Sequence, residues 1–244
     1  MTATTYPLSE LRAALGHLDA GAFTQPPLTP GVTARLDLPA PAAVGVVGVG
    51  GGVGATVVAL AIAEVIGADR LIELCPAWLS GLVEATTAEL GHDQGWRLGK
   101  RGDLLIERRD SDTAPVRNAP GRVVIDAGLW DGTTPQIGEH VEALVVVAPC
   151  TIPGVRRLSN LLTLSPTRGH IFAVLTGASP RKALSRALSA AAGSGVEALI
   201  LDSRLVIVPT CSSLRRSGIT GDRLPTALLN ATTTIAQQLK DVLP

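Results

Sequence analysis

Between Val44 and Glu64 the chain reads VGVVGVGGGVGATVVALAIAE, an apolar run, a glycine cluster and an Ala/Val-rich stretch. A strand that enters glycines and leaves as a helix is an anion-binding arrangement. Its amides carry no obstructing side chains, and the helix N-terminus adds further N–H groups. Two chemistries use it. A P-loop requires GxxxxGK[ST], with a lysine for the phosphates and a hydroxyl for Mg²⁺. In that register Thr56 suits Mg²⁺, Ala55 replaces the lysine and Val49 replaces the opening glycine. A dinucleotide loop requires GxGxxG/A and an acid about 20 residues further on for the ribose. Gly50-x-Gly52-x-x-Ala55 meets its relaxed form, and Glu73 ends the next apolar run. A glycine turn that binds nothing is the third reading. The loop alone leaves all three open, with Gly50, Gly51, Gly52, Val53, Gly54, Ala55 and Thr56 as the candidate ligand-binding residues.

A second candidate is Asp126, which ends the apolar run RVVID. A carboxylate there has the placement of a Walker B residue that holds Mg²⁺. Arg156-Arg157, Arg181-Lys182-Arg186 and Arg215-Arg216 each open or line an expected helix. Arg156, Arg157, Arg215 and Arg216 are candidates for DNA or partner contact, against the plainer reading of solubilising charge paired with the acidic first half. Cys75, Cys150 and Cys211 each follow an apolar run and are expected as small, half-buried core residues rather than metal ligands. The histidines show no ligand spacing, and no Ser/His/Asp arrangement is legible.

The elements that must position these residues follow from hydrophobic pattern. Strands are expected at 44–48, 70–74, 104–106, 122–126, 143–148, 170–176, 196–201 and 205–208, and helices at 56–66, 152–164, 181–192 and 226–242. Such alternation predicts an α/β fold with a doubly wound, mostly parallel sheet covered on both faces. Residues 1–43 differ. Leu8, Leu11, Leu15 and Leu18 have helical spacing, and TQPPLTPGVTARLDLPAPAA reads as an extended tether. The expected organisation is an N-terminal helix and Pro-rich linker at 1–43 and an α/β domain at 44–244. That helix either binds a partner or packs on its own domain.

Composition narrows the function classes. Lys+Arg and Asp+Glu are 21 each, which excludes a strongly basic chain. Residues 1–150 nevertheless carry 10 basic and 17 acidic groups, and residues 151–244 carry 11 and 4. Charged residues at 17% and apolar ones at 46% exclude a largely disordered chain. Leu38–Ala63 carries no charge and is long enough to span a bilayer, but its glycines favour a strand, loop and helix. No signal peptide is apparent at the start, and three scattered cysteines suit a reducing cytoplasm.

The loop, RVVIDAG, ALVVVAPCTIPGVRRLSNLL and IVPTCSSLRRSGITGDRLP, in that order from about Val44 to Leu239, resemble the MinD/ParA family of deviant P-loop ATPases. Gly51-Gly52-Val53-Gly54-Ala55-Thr56 is similar to the loops of its degenerate members. These are the CpaE/TadZ-type proteins of pilus-assembly clusters and the septum-site-determining-like proteins of high-GC actinobacteria. The resemblance implies a P-loop NTPase-like fold. It also implies that the family's signature lysine falls on Gly50, its Walker lysine on Ala55, and its two aspartates after the second strand on Glu73 and Cys75. Thr56 and Asp126 alone keep their types.

Phosphoryl transfer relies on positioned positive charge and metal, so a loop without either lysine is expected to turn ATP over poorly or not at all. The expected role is a non-catalytic positioning or scaffold protein in pilus assembly, secretion, division or DNA segregation. The alternatives are an active ATPase of the same family and an NAD-type oxidoreductase. The cofactor expectation is none, or weakly bound ATP or ADP with Mg²⁺ on Thr56 and Asp126. Expected partners are proteins, through residues 1–43, together with non-specific DNA and a second copy in a homodimer. No membrane insertion is expected.

Overall fold

Apolar runs without charge are most stable where both their faces are covered, and the chain uses them that way. The structure is a computed structural model and describes residues 43–111, 114–115, 121–130, 141–164, 170–178 and 186–243. All of them fall within one compact unit, Arg35–Pro244. The expected helix and linker at 1–43 lie outside the described residues except for Ala43, which opens the first strand.

In chain order the elements are β1 (Ala43–Gly48), α1 (Ala55–Ile66), β2 (Arg70–Glu73), β3 (Ala88–Asp93), β4 (Trp96–Arg101), β5 (Leu104–Arg109), β6 (Val123–Leu129), β7 (Ala143–Pro149), α2 (Ile152–Leu164), β8 (His170–Ala178), α3 (Arg186–Leu201), β9 (Leu205–Pro209), α4 (Ser212–Ser217) and α5 (Thr226–Val242). Two short 3₁₀ turns, Ala77–Leu79 and Val83–Ala85, fill the link from β2 to β3.

One nine-stranded sheet runs β3-β4-β5-β2-β6-β1-β7-β8-β9. From β5 to β9 all neighbours are parallel. Strands β3 and β4 extend the sheet antiparallel at one edge. Helices α1 and α5 cover one face over Val44, Val46, Leu71 and Val124. Helices α2 and α3 cover the other over Val47, Ile72, Ile125 and Val146. The expected α/β class therefore holds.

One expectation is corrected. Residues 196–201, expected as a strand, form the end of α3. A short apolar run fits either state, and the glycines upstream read as a break. Gly193 is indeed non-helical (φ 65°, ψ 168°), but the helix resumes beyond it. Strands β3 and β4 were not foreseen, because AELGHD and WRLGKR are polar and contain glycine. Within the uncharged stretch Leu38–Ala63, the residues from Ala43 form β1, a glycine turn and most of α1. Among the described residues no helix is long and apolar enough to cross a membrane.

Candidate functional site

Strand β1 lies between β6 and β7 and delivers the glycine loop to the carboxyl edge of the sheet, where open α/β sheets bind ligands. The loop is anchored at three points. Val49 N–H donates to Val147 O at 2.9 Å, and Val58 N–H donates to Gly54 O at 3.0 Å. The Thr176 hydroxyl donates to Val53 O at 2.8 Å. Gly54 precedes α1 at φ 92°, a left-handed conformation that glycine adopts without strain. Among the described residues, the N–H groups of Gly50–Gly54 donate to no protein acceptor. These amides are therefore free to meet an anion.

Beside the loop is an open cleft of about 770 Å³, reached by the ends of β7, β8 and β9. Gly51–Gly54, Cys150, Thr176, Thr210 and Cys211 line it, as do Arg157 and Arg215. Arg157 is the close neighbour: a Cβ on Gly50 would lie 3.2 Å from its Nη1. Gly154 makes that approach feasible, because a Cβ there would sit 2.2 Å from Pro149 O and push the start of α2 off the end of β7. Arg157 is exposed and has no partner among the described residues. Arg156 and Arg216 are exposed but do not line the cleft, so each expected arginine pair is split. Arg181 and Lys182 lie outside the described residues, as does the side chain of Arg186.

Behind the loop is a buried acid cluster. Parallel register sets Glu73 of β2 directly beside Asp126 of β6, and each is 1% exposed. Glu73 accepts hydrogen bonds from the Ser80 hydroxyl and from Gly81 N–H at 2.8 Å. Asp126 Oδ1 accepts from Gly128 N–H at 3.0 Å, while its buried Oδ2 has no hydrogen-bond partner. Burial raises the pKa of Asp126, and the Thr56 hydroxyl and Gly128 N–H offset part of the rise. Burial also raises that of Glu73, against the Ser80 and Gly81 hydrogen bonds. The Cys75 thiol is pushed up to about 12 by burial and by the charges of Glu73 and Asp126, so it is no nucleophile at neutral pH.

Thr56 and Asp126 are thus brought together, but neither lines the cleft. Gly81 lies against the half-buried Thr56, since a Cβ there would be 3.0 Å from Thr56 Cγ2. The residues present fit the phosphates of a nucleotide through the loop amides and Arg157. They fit its metal poorly, because Asp126 is 1% exposed and its orphaned oxygen is buried. Among the described residues no cluster of three or more His, Cys, Asp or Glu could hold a metal ion. The cysteines form no disulfide and are half-buried. Cys150 and Cys211 reach the cleft, whereas Cys75 belongs to the acid cluster. Sequence reasoning missed the Arg157–Gly50 approach and the hydrogen bonds of Ser80 and Gly81 to Glu73. The one available signal was Gly154 shortly before Arg157.

No protein-family model and no curated protein matches the sequence. Solved structures do match in fold. A ParA family ATPase from Chlorobium tepidum TLS superposes with a TM-score of 0.56 at 14% identity, over 81% of this chain and 98% of that one. The septum site-determining protein MinD complexed with Mg-ADP from Pyrococcus horikoshii OT3 gives 0.55 at 14% identity, over 82% and 96%. The MinC:MinD cell division protein complex of Aquifex aeolicus gives 0.52 at 14% identity, over 82% and 96%. The glycine loop and parallel sheet define an α/β protein of the P-loop NTPase-like class. Its particular fold is that of the ParA and MinD ATPases.

Proposed function

We propose that this chain is a non-catalytic, MinD/ParA-like positioning or scaffold protein whose glycine loop holds ATP or ADP weakly and does not turn it over. One observation carries the reading: Asp126, the carboxylate that would hold the metal, is buried and does not line the cleft that would receive phosphates. Ala55, buried at the head of α1, supplies no charge where the resemblance implies a lysine. Charge that develops on a transferred phosphoryl group then meets neither a lysine nor an accessible metal site.

The active-ATPase alternative draws on Arg157, a cation beside the loop. The oxidoreductase alternative loses its ribose acid, because the Glu73 oxygens are engaged by Ser80 and Gly81. Protein partners engaged through residues 1–43, non-specific DNA contact at the exposed Arg156, Arg157, Arg215 and Arg216, homodimerisation and a cytoplasmic setting belong to the same proposal. Pilus assembly, secretion, division and DNA segregation are the processes it would serve.

Titration calorimetry with ATP, ADP and NAD, each with Mg²⁺, paired with a hydrolysis assay, tests the reading. The expected result is weak ATP and ADP binding, no NAD binding, and hydrolysis equal to buffer even with DNA or a protein partner added. Ala55→Lys raises ATP affinity more than turnover. Partner-stimulated hydrolysis that Asp126→Ala abolishes would overturn the proposal in favour of the active ATPase.

A further inference from the structure

Phosphates bound by a protein need counter-charge, and a divalent cation held by one or two carboxylates is one way to supply it. The acids behind the glycine loop are badly placed to hold such a cation. Asp126 and Glu73 are each 1% exposed. Glu73 is engaged by the Ser80 hydroxyl and by Gly81 N–H, and Thr56 lies by Asp126 rather than in the cleft. Among the described residues that line the cleft there is no Asp or Glu. A phosphate there meets no carboxylate with which to share a metal, and none that repels it.

The cleft carries counter-charge of another kind. Arg157 reaches it from α2, beside Gly50. Arg215 reaches it from α4, one turn beyond Cys211, whose carbonyl accepts from Arg215 N–H at 3.1 Å. Both side chains are exposed, and neither has a partner among the described residues. They stand on different elements yet line one cleft. Thr176 links the two sides, since its hydroxyl donates to Val53 O of the loop and its register partner is Val208 of β9. Adjacent strands lie about 4.8 Å apart, so the strand that feeds α4 runs one spacing from the loop's anchor. Guanidinium groups meet phosphate oxygens in two-point hydrogen bonds and keep their charge at any working pH. Val57, Val208, Leu214 and Leu228 give the cleft an apolar lining as well.

We infer, on the reading that the loop holds nucleotide, that the cleft binds the metal-free form of a nucleoside di- or triphosphate. Arg157 and Arg215 then supply the counter-charge that a metal would otherwise bring. Mg²⁺ cancels negative charge on the same phosphates, so it competes with the arginines instead of assisting them. Affinity is highest where the metal is absent, and it falls more steeply with salt there.

The test is calorimetric titration of the full chain with ADP, once in excess Mg²⁺ and once in EDTA, at matched ionic strength. ADP is expected to bind about threefold tighter in EDTA. Arg215→Ala is expected to weaken binding in EDTA about fivefold, and less in Mg²⁺. Lys240→Ala removes one exposed positive charge outside the cleft and is expected to leave both affinities unchanged. Weaker binding in EDTA than in Mg²⁺ overturns the metal-free form and leaves the nucleotide reading standing. Equal losses for Arg215→Ala and Lys240→Ala in EDTA overturn the part given to Arg215. No saturable heat in either solution overturns the nucleotide reading itself, and the metal-free form with it.

Discussion

Replacing Arg157 by alanine isolates the electrostatics of the glycine loop. Its Nη1 lies 3.2 Å from where a Gly50 Cβ would be, so a phosphate held by the loop amides comes within about 4 Å of the guanidinium. At that distance a pair of unit charges is worth about 1 kcal/mol in bulk water and about 4 kcal/mol at an effective dielectric constant of 20. Arg157 is exposed, so the lower half of that range applies. Ordering its side chain on binding costs a further ~1 kcal/mol. The net contribution is up to about 1.5 kcal/mol, a loss of ADP affinity of up to about tenfold for Arg157→Ala. Titration calorimetry at low salt measures it, with Arg156→Ala as the control because Arg156 does not line the cleft. The difference between the two variants shrinks as salt rises. Equal affinities for the two at low salt would refute the assignment of Arg157 as the loop's cation.

The buried acid pair makes a pH-dependent prediction. Asp126 and Glu73 have pKa values raised in the folded state, so folding takes up protons in the window above the ordinary carboxylate range. Stability therefore falls as pH rises through that window. Asp126→Asn, which removes the charge beside the orphaned oxygen, is expected to stabilise by about 1–3 kcal/mol at neutral pH. The gain disappears below the ordinary carboxylate pKa, and thermal midpoints measured across pH check it. Arg101 makes a prediction of opposite sign. It pairs with Glu64 at 2.5 Å and donates to Ala85 O at 2.9 Å and Thr220 O at 2.7 Å, and also to Asp222 O. Arg101→Ala leaves these partners unmet and is expected to cost about 3–5 kcal/mol in chemical denaturation; a loss below ~1 kcal/mol would show them solvated.

The central strands were legible because their chemistry is local. Residues 43–48 and 143–148 are apolar and buried on both faces, and nothing but a covered sheet accommodates them. The antiparallel edge was not, because its burial depends on distant charge partners. β5 continues through Glu107, Arg108 and Arg109, three charged residues that end any apolar reading. Glu107 is buried only because Arg70 of β2 meets both its oxygens, at 2.9 and 2.8 Å. The site divides the same way. Gly50–Thr56 and Asp126 could be read from spacing, since a strand, a turn and a helix fix their positions. The approach of Arg157 to Gly50 depends on where α2 begins against β7, and the contact of Gly81 with Thr56 depends on a turn that follows β2. Neither leaves a periodic signature.

The charge pattern of the site is consistent on both sides of the loop. In an arrangement built to transfer phosphate, lysines and a metal keep the neighbouring carboxylates ionised. Here Gly50 and Ala55 supply no cation, and Glu73 and Asp126 are buried without one. Their raised pKa values are the electrostatic consequence, because desolvation acts on them unopposed by positive charge. Neutral donors from Ser80, Gly81 and Gly128 take up part of the deficit. A lysine restored at position 55 alone would enter a site whose acids are stabilised by hydrogen bonds and whose Asp126 is buried. Its charge would serve the phosphates in the cleft before it served a metal on Asp126, which is why affinity should recover ahead of turnover.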